Sequence, residues 1–132
     1  MNTDETDTAL NALTERIIGC CYTVHNKLGC GFLEKIYRNS LELELRPVGL
    51  SVIPEHPLNV TYREQVVGQY FADLIVEGRV IIEIKAVKAL DEVHCAQCIN
   101  YLSATGLEIC LLVNFGRRVE VKRFRGARRH VS

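Results

Sequence analysis

Apolar residues recur along the chain with two periods, and the changes of period divide it into elements. Leu10, Leu13, Ile17, Val24 and Leu28 approximate a helical stripe and predict a first helix from about Thr6 to Lys27, with Gly29 suited to its C-cap. Gly29-Cys30-Gly31 breaks the chain, and a second helix is expected from about Leu33 to Leu45, ended by Arg46-Pro47-Val48-Gly49. A strand near Leu50 to Ile53, an interruption at Pro54 to Pro57 and a strand at Leu58 to Tyr62 come next. Gln69 to Val76 and Val80 to Val87 are rich in β-branched and aromatic residues, and Glu77-Gly78-Arg79 between them reads as the turn of an antiparallel hairpin. A third helix from about Asp91 to Ala104 stops at Gly106, and strands at Glu108 to Asn114 and Val119 to Phe124 close the chain. This order, without internal repeat or linker, predicts an α/β (α+β) fold in which helices pack on a sheet.

The hairpin carries the candidate chemistry. With a three-residue loop Val76 lies opposite Val80, which sets Asp73 opposite Glu83 and puts Lys85 on their face. A two-residue loop would instead set Asp73 across from Ile84 and place the carboxylates on opposite faces. These charges could lie on a solvated face, but composition argues for a covered sheet. Val80, Ile82, Ile84 and Ala86 make one face wholly apolar, Ile81 and Val87 share the charged face, and Phe71 and Ile75 flank Asp73. Like charges directly opposite destabilise a sheet unless a cation joins them, so the pair invites a metal.

At 132 residues the chain makes one domain, and its 48% hydrophobic and 24% charged fractions are ordinary globular values. The acidic, polar start is no secretory signal and no apolar run could span a bilayer, so a cytoplasmic protein with no membrane partner is expected. Cys20 and Cys21 are adjacent in a helical pattern, Cys110 lies in an apolar strand, and Cys95-x-x-Cys98 has no second pair, which favours reduced, mostly buried thiols. The net charge of zero hides an asymmetry. Arg117, Arg118, Lys122, Arg123, Arg125, Arg128 and Arg129 face Glu120 alone over residues 117–129, a local +6 that leaves −6 on the remainder. A basic end on an acidic body suits a polyanion, though it is also a common solubilising tail.

On the third helix His94, Gln97 and Tyr101 form a polar stripe, while Val93, Ala96 and Leu102 cover another face. That helix could lower Gln97 and Tyr101 toward the carboxylates. Glu34 and Tyr37 sit one turn apart on the second helix, where an acid in the first turn is also favoured by the helix dipole. His25 reads as a helix-end residue. No glycine-rich phosphate loop and no Gly-x-Ser-x-Gly elbow is present.

Taken together these stretches resemble the GxxExxY protein family, a branch of the PD-(D/E)XK nuclease superfamily. The naming motif is Gly31-Phe32-Leu33-Glu34-Lys35-Ile36-Tyr37, preceded by His25-Asn26-Lys27-Leu28-Gly29. The nuclease motif is Asp73 with Glu83-Ile84-Lys85, Gln97-x-x-x-Tyr101 is similar to the helix motif of RecB-like nucleases, and Leu111-Leu112-Val113-Asn114-Phe115-Gly116 resembles the family's closing strand. The likeness covers roughly residues 15–125, with Ala72 where the superfamily's name has Pro. The resemblance implies a restriction-endonuclease-like core, a mixed central sheet flanked by helices, and metal-dependent hydrolysis of nucleic acid phosphodiesters. It implies that Asp73, Glu83 and the Ile84 carbonyl bind Mg²⁺ or Mn²⁺ and that Lys85 acts on the reacting groups. Glu34 would add an acidic contact, and Gln97 and Tyr101 would orient phosphate or water. The expected partner is DNA or RNA, with a homodimer allowed. The alternative is a module on the same fold that binds nucleic acid or protein without cutting.

Overall fold

The computed structural model describes residues 3–126. The elements run α1 (Thr3–Leu28), α2 (Glu34–Leu45), β1 (Val52–Tyr62), β2 (Gln65–Val76), β3 (Val80–Lys85), α3 (Glu92–Thr105), β4 (Ile109–Phe115) and β5 (Val119–Arg125). The strands form one sheet in the order β1-β2-β3-β4-β5, antiparallel throughout except where α3 carries the chain from β3 to a parallel β4. The expected mixed sheet with flanking helices is the fold observed. β4 is buried along its whole length and β3 up to Lys85, as a central parallel pair covered on both faces requires. Leu10, Ile17, Leu41 and Leu45 of α1 and α2 pack on Leu74, Ile82 and Leu111. On the other face Cys98, Tyr101 and Leu102 of α3 pack on Ile75, Ile81 and Leu112.

Several boundaries differ from expectation. β1 runs unbroken through Pro54 and Pro57 because it is an edge strand, where a missing N–H can face outward without costing a ladder bond. β2 begins at Gln65, and the Arg63-Glu64 turn with φ of 50° and 65° gives the strands a tight two-residue connection. On α3 the buried residues are Cys98, Tyr101 and Leu102, whereas Val93 and Ala96 are exposed, so the expected cover by those two is not made. All six cysteines are free.

The Glu77-Gly78-Arg79 loop has the three-residue register, with Val76 opposite Val80. Glu77 and Gly78 take φ of 54° and 62°, and the Arg79 N–H donates to the Val76 carbonyl at 3.0 Å. Beyond Leu74 and Ile82 the ladder between β2 and β3 ends. The same level of β1 is also irregular, for Glu55 has φ of 51° and drops out of its pairing with β2. Both strands turn over there. Leu74 and Val52 join the core beneath α1 and α2, yet Ala72 and Leu58, an even number of residues away, join the core beneath α3. Phe71 consequently does not share a buried face with Ile75, and it is exposed.

Two polar clasps fix the ends of elements near this opening. Tyr37 stacks on Phe115 at 4.5 Å, and its hydroxyl donates to the Gly29 carbonyl at 2.6 Å and accepts the Phe32 N–H at 3.3 Å. It thereby ties down the glycine break between α1 and α2. Asn114, fully buried, accepts the Val87 N–H on Oδ1 and donates from Nδ2 to the Val87 carbonyl, both at 2.9 Å. This side chain prolongs the sheet past Lys85 and sets the exit of β3. Replacing Asn114 with Ala leaves both Val87 groups without their partner, and we expect a loss of about 2–4 kcal/mol, read as a lowered urea midpoint with unchanged m-value.

Candidate active site

Asp73 and Glu83 meet where the ladder opens. The Ile84 N–H donates to Asp73 Oδ2 at 2.7 Å and the Asp73 N–H to Glu83 Oε1 at 3.3 Å, so side chains take the bonds that strand pairing gives up. Each carboxylate commits one oxygen. Asp73 Oδ1 and Glu83 Oε2 have no hydrogen-bond partner among the described residues.

Burial and proximity dominate the electrostatics. Desolvation, then the neighbouring Asp73 carboxylate, pushes Glu83 from an ordinary value of 4.5 up to about 9. Asp73 is also raised, by desolvation first; the Ile84 N–H opposes this, Glu34 adds to it, and Lys85 and Arg38 oppose it. Burial raises the Tyr101 hydroxyl, followed by the fields of Glu83 and Asp73, so it remains a proton donor through alkaline pH. Hydrogen bonding to Cys98 and burial push the Cys110 thiol up, and the same hydrogen bond lowers the Cys98 thiol.

These influences show what the fold brings together. Because the sheet opens at Asp73, this residue meets groups from both helical layers: Glu34 and Arg38 of α2 act on it, and it acts on Tyr101 of α3. Glu34 opens α2 and is exposed. Gln97 lies one turn before Tyr101, half-buried, and no hydrogen bond holds its amide among the described residues. Lys85 follows Glu83 on the same face and pairs with Asn114 in register. His94 caps α3, its Nδ1 accepting the Asp91 N–H at 3.2 Å, and His25 Nε2 lies 2.9 Å from the Gly116 carbonyl oxygen in the last turn of α1. Two participants carry no motif signal. Arg38 sits in the field of Asp73 while pairing with Glu55 at 2.5 Å, and Glu55 opens the ladder; Asn114 lies in the closing-strand stretch, where nothing marks its clasp on Val87.

A model of the PD-(D/E)XK nuclease superfamily matches residues 11–124. The chain belongs to the PD-(D/E)XK nuclease superfamily. The crystal structure of SSO0001 is similar in fold, with a TM-score of 0.56 and 20% identity over 70% of this chain and 50% of that one. This chain therefore spans about half the length of SSO0001. No curated protein matches it. Ala72, before the first carboxylate of this superfamily member, is fully buried where the superfamily's name has Pro.

The donor set of this nuclease-superfamily site fits a divalent cation. Two carboxylates raised first by desolvation, Glu83 buried and Asp73 half-buried, each with an uncommitted oxygen, suit a hard ion that keeps several waters. Among the described residues no three His, Cys, Asp or Glu side chains cluster as a ligand set, so Glu34 influences Asp73 through its charge without completing a three-residue set. The basic residues divide by position. Arg117 and Arg118 form the turn after β4, at the sheet end where Lys85 pairs with Asn114, and Lys122 pairs with Leu112 on the α3 face. Arg123 and Arg125 bond Asn11 and Asp7 of α1 instead. Arg128 and Arg129 lie outside the described residues. No described helix is long and apolar enough to cross a membrane.

The raised carboxylates give the metal-free protein a defined pH response. Glu83 binds its proton more tightly folded than unfolded, so its contribution to stability is complete below 4.5 and is lost as pH rises through about 9. Asp73 acts in the same direction. Thermal melts in chelator should show Tm falling across that window, and Glu83→Gln should flatten the fall and gain most at the alkaline end.

Proposed function

We propose that this chain is a divalent-metal-dependent nuclease of the GxxExxY type that hydrolyses phosphodiester bonds of DNA or RNA. The observation that carries the reading is the hydrogen-bonded Asp73–Glu83 pair, Glu83 buried and Asp73 half-buried, with Lys85 next on the same face. Asp73, Glu83 and the Ile84 carbonyl would hold Mg²⁺ or Mn²⁺. The bound ion would supply charge neutralisation on the phosphate and a water of lowered pKa. Lys85 contributes an ammonium that donates to the attacking water or to a phosphate oxygen. Tyr101, kept protonated beside the carboxylates, donates a hydrogen bond to the phosphate, and the Gln97 amide orients water or phosphate from the preceding turn. Glu34 acts from the end of α2 as a further acceptor for substrate or water, through the same proximity that raises Asp73. Lys122 offers a phosphate contact on the α3 face of the sheet, and Arg117 and Arg118 offer further ones at the sheet end where Lys85 lies.

Cleavage should require Mg²⁺ or Mn²⁺ and should fall at least a hundredfold, about 2.7 kcal/mol of barrier, in Asp73→Asn and in Glu83→Gln, with folding intact. Lys85→Ala should slow turnover and leave metal affinity unchanged. A screen of single- and double-stranded DNA and RNA checks this, and undiminished cutting by either carboxylate variant would contradict it.

The division of the basic residues yields a separate outcome. Arg117→Glu with Arg118→Glu should weaken nucleic-acid binding at all sequences and flatten the salt dependence by about 0.7–0.9 log units per lost contact. Arg123→Glu with Arg125→Glu should mainly lower stability, because those guanidiniums hold α1. Titrations at several salt concentrations and thermal melts distinguish the two pairs.

A further inference from the structure

The outer half of the β1–β2 hairpin has no counterpart in the chemistry above. Every residue from Asn59 to Phe71 is exposed, and in that span only Arg63 and Glu64 at the tip carry charge. Past the turnover at Glu55 and Asp73, its α3-side face runs outward from Leu58 through Tyr70 and Val60 to Gly68, with Leu58 opposite Tyr70 and Val60 opposite Gly68. Tyr70 is 46% exposed, yet its ring meets that of Tyr101 edge-on, with centroids 5.5 Å apart at 71°. Nothing lies within 4 Å of where a Gly68 Cβ would stand, so the surface beside Tyr70 is open. An exposed aromatic platform thus continues directly from a tyrosine that sits in the field of both carboxylates.

We propose that this face of the hairpin stacks the unpaired bases of a single-stranded nucleic acid whose backbone passes the Asp73–Glu83 site, an inference that rests on the proposed nuclease reading. A duplex keeps its base faces stacked on one another, so an exposed ring on a surface with no cation between its base and its tip has little to hold in a duplex. Unpaired bases instead offer π-faces to Tyr70 and apolar edges to Val60, interactions that tolerate any sequence. The contact of Tyr70 with Tyr101 sets the stacked base beside the phosphate that meets the carboxylates. A second copy pairing along β1 is opposed by Pro54, Pro57, the off-ladder Glu55 and the register shift at Val60/Thr61.

The test uses the full chain in a Glu83→Gln background, where cleavage does not intervene, with fluorescence anisotropy of a labelled oligothymidine and of a labelled duplex. Tyr70→Ala should weaken single-strand binding about tenfold, Tyr70→Phe should retain it, and neither should alter duplex binding. Unchanged single-strand affinity in Tyr70→Ala, or an equal loss on the duplex, would overturn the proposal. So would a dimer in sedimentation velocity that Tyr70→Ala dissociates, since the face would then belong to a second copy. If the Tyr70 pattern is found but the unsubstituted chain cuts none of the polymers, the stacking surface stands and the nuclease reading falls.

Discussion

The rest of the structure depends on two crossed hydrogen bonds, from the Ile84 N–H to Asp73 and from the Asp73 N–H to Glu83. They stand where backbone ladder bonds between β2 and β3 would continue. Their geometry satisfies buried N–H groups while holding two carboxylates close together in a poorly hydrated place, an arrangement that costs stability in the absence of a cation. The cost is local. Around it β3 and β4 form a continuous apolar centre, and each buried Leu, Ile or Val there contributes about 1.5–3 kcal/mol, which lets the fold retain a destabilised pair.

The opening at Asp73 also explains how distant sequence segments reach one site. A regular sheet would hide its carboxylates beneath a single layer of helix. Here the strands turn over together at Glu55 and Asp73, so the same acid feels Glu34 and Arg38 at the α2 end and reaches Tyr101 on the α3 face with its own field. Asn114 and Tyr37 stabilise this geometry from behind. Asn114 fixes where β3 departs, and Tyr37 fixes the glycine break from which α2 starts.

Much of this was legible in the chain. Alternation located the helices and the central strands, and the three residues of Glu77-Gly78-Arg79 were enough to set Val76 opposite Val80. The direct Asp73–Glu83 cross-strand pair expected from that register is not made, because the ladder ends at Leu74 and Ile82 and side-chain hydrogen bonds join the segments instead. The superfamily followed from the order of the motifs. What escaped has physical reasons. Pro54 and Pro57 look like breakers because an edge position is a tertiary property. Glu55 gives no warning of a left-handed backbone, and strict alternation placed Phe71 with Ile75 because nothing local marks a strand that turns over. Val93 and Ala96 share an apolar helix face with Leu102 yet are exposed, because a helix of low amphipathicity does not declare which side meets the sheet. Arg38 and Tyr70 gain their positions only through long-range contacts.

The central claim is that Asp73 and Glu83 form one cation site whose empty state retains a proton. Calorimetric titration of Mn²⁺ at pH 7 in two buffers of different ionisation enthalpy measures it directly, because a cation must displace that proton to gain the carboxylate. The account predicts uptake with release of about one proton in the unsubstituted protein, and no release in Glu83→Gln. Uptake without proton release, or identical uptake in Glu83→Gln and Asp73→Asn, would contradict it.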